Sequence, residues 1–165
     1  MALPREYPNE NCPIARSLEI IGERWTLLIV RDAFFGVRRF SDFRSHLNIP
    51  KAVLSERLAL LVAQGVLAKN DGDYTLTTKG HRLWPVLWSM ISWGDENYVE
   101  KPRRRTYVHA DCDGVIDSDG RCDRCGQTPD VADLITHPPR RLRTSAGDDP
   151  VSRALRRPHR MLEAI

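Results

Sequence analysis

The sequence of 165 residues predicts a mainly α-helical domain with one small β-hairpin, followed by a short segment rich in cysteine and histidine. Three observations lead to this fold class. Apolar side chains recur with helical spacing across residues 12–100. The turn-forming sequence Asn-Asp-Gly-Asp at residues 70–73 separates two short strand-like runs. One histidine and three cysteines form two spaced pairs between residues 109 and 125.

Two helices are predicted at the start of the domain. Pro13 suits the first turn of a helix, and apolar residues follow it at helical spacing as far as residue 21. Gly22 interrupts this pattern. Residues 25–35 are again apolar on one face, and Gly36 stops the run, which predicts a second helix.

The next two helices are short and closely spaced. Ser41 is the predicted cap of a helix over residues 41–47, and Pro50 opens a helix over residues 50–64. The apolar stripe of the second of these helices contains Leu54, Leu58 and Leu61. Two helices joined by so tight a turn are typical of a helix-turn-helix unit, whose second helix enters the major groove of DNA.

A hairpin and a last helix complete the domain. Residues 66–69 and 74–77 form the predicted strands, and Thr77 or Thr78 caps a helix that reaches about residue 98 with a kink at Pro85. The order of elements therefore predicts a winged helix-turn-helix with additional helices at both ends. A last helix that is apolar nearly all round needs cover from a partner as well as from its own domain.

Composition divides the chain into four parts. Residues 1–11 are predicted to be a flexible arm, and residues 12–100 a domain for DNA binding and dimerisation. Residues 101–136 form a small Cys/His knuckle appendage. Residues 137–165 are rich in proline and arginine and are expected to be disordered.

The net charge of +3 is unevenly distributed. Residues 38–82 contain eight basic and four acidic side chains, whereas the rest of the first hundred contains four basic and eight acidic ones. This contrast predicts a surface that faces a polyanion on one side only. The apolar runs are too short for a membrane span, and no signal peptide is recognisable, so a cytoplasmic protein is expected.

Small residues dominate the outer face of the helix over 50–64. Ala52 and Ser55 can approach base edges closely, where Ser55 can exchange a hydrogen bond and Ala52 can contact a thymine methyl group. Basic residues around this helix are predicted to contact phosphates. They are Arg38, Arg39, Arg44, Lys51, Arg57 and Lys69. The alternative is a helix whose small residues only favour helicity and whose charges are solvated.

The residues from Cys12 to about position 95 resemble the HxlR-type winged-helix transcriptional regulators, relatives of the MarR group. The matching stretches are residues 12–14, 20–29, 38–43, 53–61, 74–80 and 83–94. The resemblance implies a homodimer that binds an inverted-repeat operator, with one recognition helix in each half-site. It also implies dimerisation through the first and last helices. Repression is the expected mode of regulation.

The hairpin tip departs from the family pattern. Wings in this family are often longer and basic, whereas this tip carries Asp71 and Asp73, which repel phosphates. Lys69 remains a candidate for a contact with the DNA backbone. The basic run 103–105 or the arginine-rich tail could take over the role of the wing.

Cys12 and the aromatic residues raise the question of an effector. At a helix start, backbone N–H groups favour a thiolate, and in some relatives the cysteine at this place senses oxidants or electrophiles. The alternative is a small apolar residue packed in the dimer interface. The aromatic residues (Trp25, Phe34, Phe35, Trp84, Trp88 and Trp93) could line a small-molecule pocket, but helical spacing favours a core role.

The residues His109, Cys112, Cys122 and Cys125 predict a structural zinc site. Two pairs of ligands with two residues inside each pair allow tetrahedral coordination, and Gly126 permits a tight turn after the second pair. Four protein ligands would leave no position for a reactive water. The alternative is a set of free cysteines on a short hairpin.

Two other classes of protein are alternatives to a DNA-binding regulator. No nucleophile elbow, phosphate-binding loop, dinucleotide turn or zinc-protease motif is present, so an enzyme is not expected. A zinc-stabilised adaptor that uses the winged helix to dock on a protein is the second alternative. Steep salt dependence of binding would favour DNA over a protein partner.

Overall fold

The computed structural model describes residue 7 and residues 11–100, 104–140 and 147–165. Most of the predicted arm, residues 101–103 of the basic run and residues 141–146 of the tail lie outside the described residues. The elements follow in the order α1 (Pro13–Ile21), α2 (Thr26–Phe34), α3 (Phe40–Leu47), α4 (Lys51–Ala63), β1 (Leu67–Asn70), β2 (Asp73–Leu76), α5 (Thr78–His81), α6 (Trp84–Asn97), β3 (Thr106–His109), β4 (Leu134–His137), α7 (Pro150–Ala154) and β5 (His159–Arg160). This order confirms the winged helix-turn-helix fold.

Helices α3 and α4 form the helix-turn-helix unit. Asn48 ends α3 in the left-handed conformation with φ of 48°, and Ile49 packs into the core between the two helices. The leucine stripe of α4 is fully buried, as the apolar periodicity predicts. Removing this apolar surface from water fixes α4 against the rest of the domain.

Two helix boundaries differ from the sequence predictions. Helix α3 begins at Phe40, and the extended residue Arg39 precedes it, so Ser41 is not its cap. The predicted last helix is two helices. Thr77 caps the short α5 by accepting a hydrogen bond from Gly80 N–H at 3.1 Å, and α6 starts afresh with Pro85 in its first turn. A proline lacks the N–H that a continuous helix needs, which explains the break.

The wing is a short antiparallel hairpin of β1 and β2. Lys69 pairs with Tyr74 and Asn70 with Asp73, so the turn consists of two residues. Both turn residues have positive φ, 49° at Asp71 and 92° at Gly72, as a type I′ turn requires. The wing is therefore compact and projects only a short distance from the domain.

The Cys/His unit, which comprises residues 104–137, packs directly on the helical domain. Its strands join β5 in a sheet of order β3-β4-β5. Tyr107 on β3 lies edge-on to Trp88 of α6 with ring centroids 5.1 Å apart and to Trp84 at 6.1 Å. Trp88 Nε1 donates to the Ser118 carbonyl at 3.2 Å. Most of the aromatic residues belong to this core, whereas Trp93 is 60% exposed.

The expectation of a disordered tail is wrong for the C-terminal segment, residues 147–165. Val151, Leu155 and Met161 are buried, and β5 pairs with β4. The segment also supplies donors to the end of α2, where three carbonyl groups would lack helical partners. The Phe34, Phe35 and Gly36 carbonyls accept hydrogen bonds from Leu162 N–H, His159 Nε2 and Ile165 N–H respectively, at distances of 2.8, 2.8 and 3.1 Å.

Gly36 is essential for this docking. Its φ is +90°, and a Cβ at this position would lie 1.6 Å from the Glu163 carbonyl oxygen. Gly72 offers a matched control, because its φ of +92° is almost the same but its Cβ would meet nothing within 4 Å.

We expect Gly72→Ala to lower the free energy of unfolding by about 1–2 kcal/mol, the cost of the left-handed conformation. Gly36→Ala should lower it by about a further 1–3 kcal/mol, because the C-terminal segment must also move. Urea denaturation measures both losses. Equal losses for the two variants would contradict the close approach of the C-terminal segment to Gly36.

Candidate DNA-binding surface and metal centre

The first half of α4 presents small and basic side chains to solvent. Lys51, Ala52 and Ser55 are exposed and form what we term the reading face. At about 100° per residue, Ala52 lies opposite the buried leucine stripe, Ser55 lies at the side of the helix, and Lys51 stands at its first position, so packing of that stripe sets their direction. The absence of bulky side chains at Ala52 and Ser55 allows a close approach to another molecular surface.

Three arginines flank the helix-turn-helix unit. Arg39 and Arg44 are exposed and Arg38 is half-buried. The Arg38 carbonyl accepts a hydrogen bond from Tyr74 N–H at 2.8 Å, and Arg39 forms a β-bridge with Asp73. The backbone of Arg38 and Arg39 is thus held beside the wing, while Arg44 lies on α3. All three arginines precede the turn that leads into α4, two of them beside the wing and one on α3.

The structure corrects the sequence expectation at Arg57. Its side chain is only 7% exposed and it is ion-paired with Glu56, so the guanidinium is not on the exposed flank of α4. The reason is the helical period. Arg57 follows Leu54 by three residues and precedes Leu61 by four, which places it on the buried stripe. Its Nε has no hydrogen-bond partner among the described residues.

The wing contributes one cation. Lys69 is exposed, and its ammonium lies 5.2 Å from the centroid of the Tyr74 ring across the hairpin. Asp71 at the tip is also exposed. The short turn and the carboxylate at its tip agree with the sequence expectation of an unusual wing.

A second candidate site lies at one end of the Cys/His unit, where His109, Cys112, Cys122 and Cys125 converge. Their ligand atoms all lie within 4.8 Å of one another. His109 Nδ1 is 3.4 Å from the sulfur atoms of Cys112 and Cys125, and the Cys112 and Cys122 sulfurs are 3.4 Å apart. In a tetrahedral zinc site with Zn–S near 2.3 Å and Zn–N near 2.0 Å, ligand atoms are about 3.5–3.8 Å apart. The observed spacing is thus close to that of a coordinated ion.

Backbone turns prepare these sulfur atoms for a cation. N–H groups of Cys125 and Arg124 hydrogen-bond to the Cys122 sulfur and, against the opposing effect of burial, lower the pKa of Cys122 to about 6. Gly114 allows the first turn to approach, because a Cβ there would lie 2.2 Å from the Cys122 sulfur. The chain therefore forms two tight knuckles facing each other, which is the arrangement expected from the spacing of the ligands.

His109 has an outer partner. Its Nδ1 faces the sulfur atoms, while its Nε2 lies 3.6 Å from a carboxylate oxygen of Asp111. A carboxylate on the second ring nitrogen orients a metal-binding histidine and raises its basicity. The histidine is buried and Asp111 is exposed, so this contact lies at the edge of the centre.

Cys12 lies immediately before α1 and is partly exposed. Hydrogen bonds from the backbone N–H groups of Ala15 and Ile14 lower the pKa of Cys12, as expected for a thiol at a helix start. It is far in sequence from the Cys/His centre and is not part of that cluster.

Sequence reasoning missed a buried ionic group inside the domain. Asp32 of α2 is fully buried, and its two oxygens accept hydrogen bonds from Arg31, at 2.7 and 3.0 Å, and from His46 of α3, at 2.7 Å. Asp32 stands inside an otherwise apolar run, which was the available signal. A buried carboxylate requires such partners, so Asp32 ties α2 to the helix-turn-helix unit.

Comparison with known proteins identifies the family. A family model described as HxlR-like helix-turn-helix matches residues 20–102, half of the chain. The chain belongs to the HxlR-like helix-turn-helix family. This confirms the resemblance recognised in the sequence, and the protein is a transcriptional regulator with a helix-turn-helix DNA-binding domain.

Individual relatives agree with this assignment. An uncharacterised HTH-type transcriptional regulator of Mycobacterium tuberculosis is 36% identical over 134 residues, which cover 76% of this chain and 84% of the relative. The HTH-type regulator YvaP of Bacillus subtilis is 35% identical over 97 residues, covering 53% and 90% of the two chains. The crystal structure of PA1607, a candidate transcription factor, aligns with a TM-score of 0.55 and 29% identity over 86% of this chain and 89% of that chain.

The matches with the mycobacterial relative and with PA1607 extend beyond the family model into the Cys/His unit. The family and these relatives are known as transcription regulators and not as enzymes. Among the described residues, no helix has the length and apolar character needed to cross a bilayer.

The lowered pKa of Cys12 has a measurable consequence. A lower pKa leaves more thiolate at a given acidic or neutral pH, so alkylation of Cys12 by iodoacetamide should persist to lower pH than for an ordinary thiol of pKa about 8.5. Alkylation rates are measured across a range of pH for the wild type, and the rates of Cys12→Ser are subtracted as background. The pH at which the Cys12 rate is half-maximal is the midpoint. A midpoint in the folded protein that is not below the midpoint in denaturant would contradict the contribution of the backbone N–H groups.

Proposed function

We propose that this protein is a homodimeric, sequence-specific repressor that inserts α4 into the major groove of an inverted-repeat operator. The observation that carries the proposal is the reading face of Lys51, Ala52 and Ser55 on a rigidly packed α4, with Arg38, Arg39 and Arg44 on and before the preceding helix α3. Each element of this arrangement has a distinct role.

Ala52 and Ser55 are suited to reading bases. A methyl side chain can contact the methyl group of thymine, and a hydroxyl can donate to or accept from a base edge. Both are exposed on the first turns of α4, the part of a recognition helix that contacts base edges in helix-turn-helix proteins. Contacts of this kind would supply sequence preference.

The flanking cations are suited to phosphates. Lys51 at the start of α4 and the exposed Arg39 and Arg44 would position the domain on the DNA backbone. Lys69 is a further candidate at the wing, where the Asp71 carboxylate opposes deep insertion into the minor groove. Burial of Arg57 excludes it from direct contacts with DNA, and its side chain instead packs on the inner side of α4.

An apolar surface on α1 and α6 is suited to a second copy of the chain. Ile14, Leu18, Val86, Met90 and Trp93 are exposed large apolar side chains on these two helices. A groove of about 430 Å³ runs between α1 and α6 and is lined largely by apolar residues. Helices that expose so much apolar surface are typical of protein interfaces. A dimer formed here would present two copies of α4, as two half-sites about one helical turn apart require.

Repression would follow from binding of the dimer to promoter DNA. A dimer bound across promoter DNA would exclude RNA polymerase by steric overlap, and this requires no further contact.

Two alternatives from the sequence remain as competing proposals. One is a zinc-stabilised adaptor that binds a protein. The other is a redox-responsive regulator that uses Cys12, which is favoured by the lowered pKa of that thiol.

Lys51→Ala tests the reading face. We expect weaker binding to a duplex that the wild-type protein selects from a random DNA pool, and a salt slope reduced by about 1, because one phosphate contact is lost. Fluorescence anisotropy between about 50 and 200 mM salt measures both quantities. Arg121→Ala, which removes an exposed cation from the Cys/His unit, should leave them unchanged.

Two results would overturn this assignment. Unchanged affinity and slope in both Lys51→Ala and Arg39→Ala would show that DNA does not contact this face. Failure of the wild type to select any duplex would favour the adaptor.

We further propose that the Cys/His unit holds one structural zinc ion through His109, Cys112, Cys122 and Cys125. The donor set and the ligand spacing fit a tetrahedral zinc site, and Asp111 is placed to orient His109. The bound ion would cross-link the two knuckles and stabilise the loops between β3 and β4.

Metal analysis tests this second proposal. The purified wild type should contain one zinc per chain, and Cys122→Ser should lose it, because three ligands bind zinc far more weakly than four. Cys12→Ser provides the matched control, since it also removes one thiol but lies outside the cluster, and it should retain the metal. Folded wild-type protein without zinc, or zinc retained in Cys122→Ser, would contradict the site.

A further inference from the structure

A small cavity lies where the helix-turn-helix domain, the Cys/His unit and the C-terminal segment meet. Its volume is about 260 Å³. Its walls come from α2, α3, α6, β3 and the end of α7. We propose that this cavity binds a small organic monocarboxylate with an apolar body, whose carboxylate pairs with Arg105. If the regulatory function proposed above is correct, such a compound would be an effector.

Arg105 carries the argument because its side chain is half-buried and its guanidinium is incompletely partnered. Its Nη2 donates to the Leu155 carbonyl at 3.0 Å, but its Nη1 is buried without a hydrogen-bond partner among the described residues. Burial lowers the pKa of Arg105 and the nearby charge of Arg31 acts in the same direction, whereas Tyr107 and Asp32 oppose this shift. A guanidinium nonetheless remains protonated in proteins, so an acceptor in the cavity would be strongly favoured.

The buried carboxylate nearest to Arg105 is already hydrogen-bonded to other residues. Asp32 lies behind the cavity wall and uses both oxygens, one on Arg31 and the other on His46. Arg31 and Asp32 therefore neutralise each other. Among the described residues, no carboxylate lies within ion-pair distance of Arg105.

The remaining charges on the wall favour a monoanion. Asp95 of α6 also lines the cavity, and partial burial raises its pKa while Arg104 lowers it. No ion pair joins Asp95 to Arg104 among the described residues, so Asp95 remains in the wall as an acid whose charged form is disfavoured by burial. A single cation, Arg105, is left over, whereas a dianion such as phosphate would meet the Asp95 carboxylate without a second free cation.

One part of the wall is apolar, whereas Arg31, His46 and Tyr107 add polar groups elsewhere. Ile91, Val99 and Leu155 line it, and the ring of Phe35 lies 5.6 Å from the Arg105 guanidinium carbon. An aromatic or aliphatic body would pack against these side chains while the carboxylate pairs with the Arg105 guanidinium. The cavity is smaller than the roughly 300–1,000 Å³ of drug-sized ligand sites, which limits the ligand to a single ring or a short chain.

Isothermal titration calorimetry without DNA tests the site, so the result does not depend on the proposed regulatory function. The probes are benzoate, phenylacetate and hexanoate, with benzamide as a neutral analogue of benzoate. We expect saturable binding of at least one carboxylate below about 10 mM, and binding of benzamide at least about tenfold weaker than that of benzoate.

Two variants assign the binding to this cavity. Arg105→Gln should weaken carboxylate binding at least about tenfold by removing the charged donor. Val99→Phe should weaken it by filling the apolar part of the cavity without changing charge. Arg153→Gln removes an exposed arginine from α7 outside the cavity and should bind like the wild type.

Three outcomes would overturn the proposal. These are the absence of saturable binding for all three carboxylates, equal binding of benzamide and benzoate to the wild type, and unchanged binding in both cavity variants. The first two concern the wild type alone, so they decide the matter even if a variant does not fold. Loss of DNA binding by the protein would affect only the effector role and not these results.

Discussion

The C-terminal end of helix α2 is the point on which the two parts of the molecule depend. The last carbonyl groups of a helix have no partners within it and must be satisfied from elsewhere. Here the C-terminal segment supplies the hydrogen-bond donors, which belong to His159, Leu162 and Ile165. Because β5 of the same segment pairs with β4, this set of hydrogen bonds connects the helix-turn-helix domain to the sheet that carries the Cys/His unit.

The elements of the DNA-binding domain could be predicted because their signals are local. The leucine stripe of α4 has helical period, the Asp71-Gly72 turn has its own conformational requirement, and the paired spacing of cysteines limits their geometry. The reading face follows from the same period and from the helix start, since Ala52 lies opposite the stripe, Ser55 at the side and Lys51 at the first position of α4. The helical period also places Arg57 on the buried side of α4, although a charged side chain favours an exposed position.

The order of the C-terminal segment could not be predicted from its own composition. Val151, Leu155 and Met161 are few and widely spaced, and proline and arginine surround them. Their burial is possible only because α2 presents carbonyl groups and β4 presents an edge, both distant in sequence. The same applies to Arg105, which lies in a run of basic residues and whose burial depends on contacts with Leu155 and Phe35.

The pairing of His159 with Phe35 joins residues 124 positions apart in the chain. Contacts of such long sequence separation require most of the chain before they can form and slow the folding reaction. During synthesis the helix-turn-helix elements leave the ribosome well before residues 159–165, so α2 stays uncapped until those residues have been made. The helical domain is therefore expected to pass through a stage in which its secondary structure is present but the end of α2 is still exposed to water.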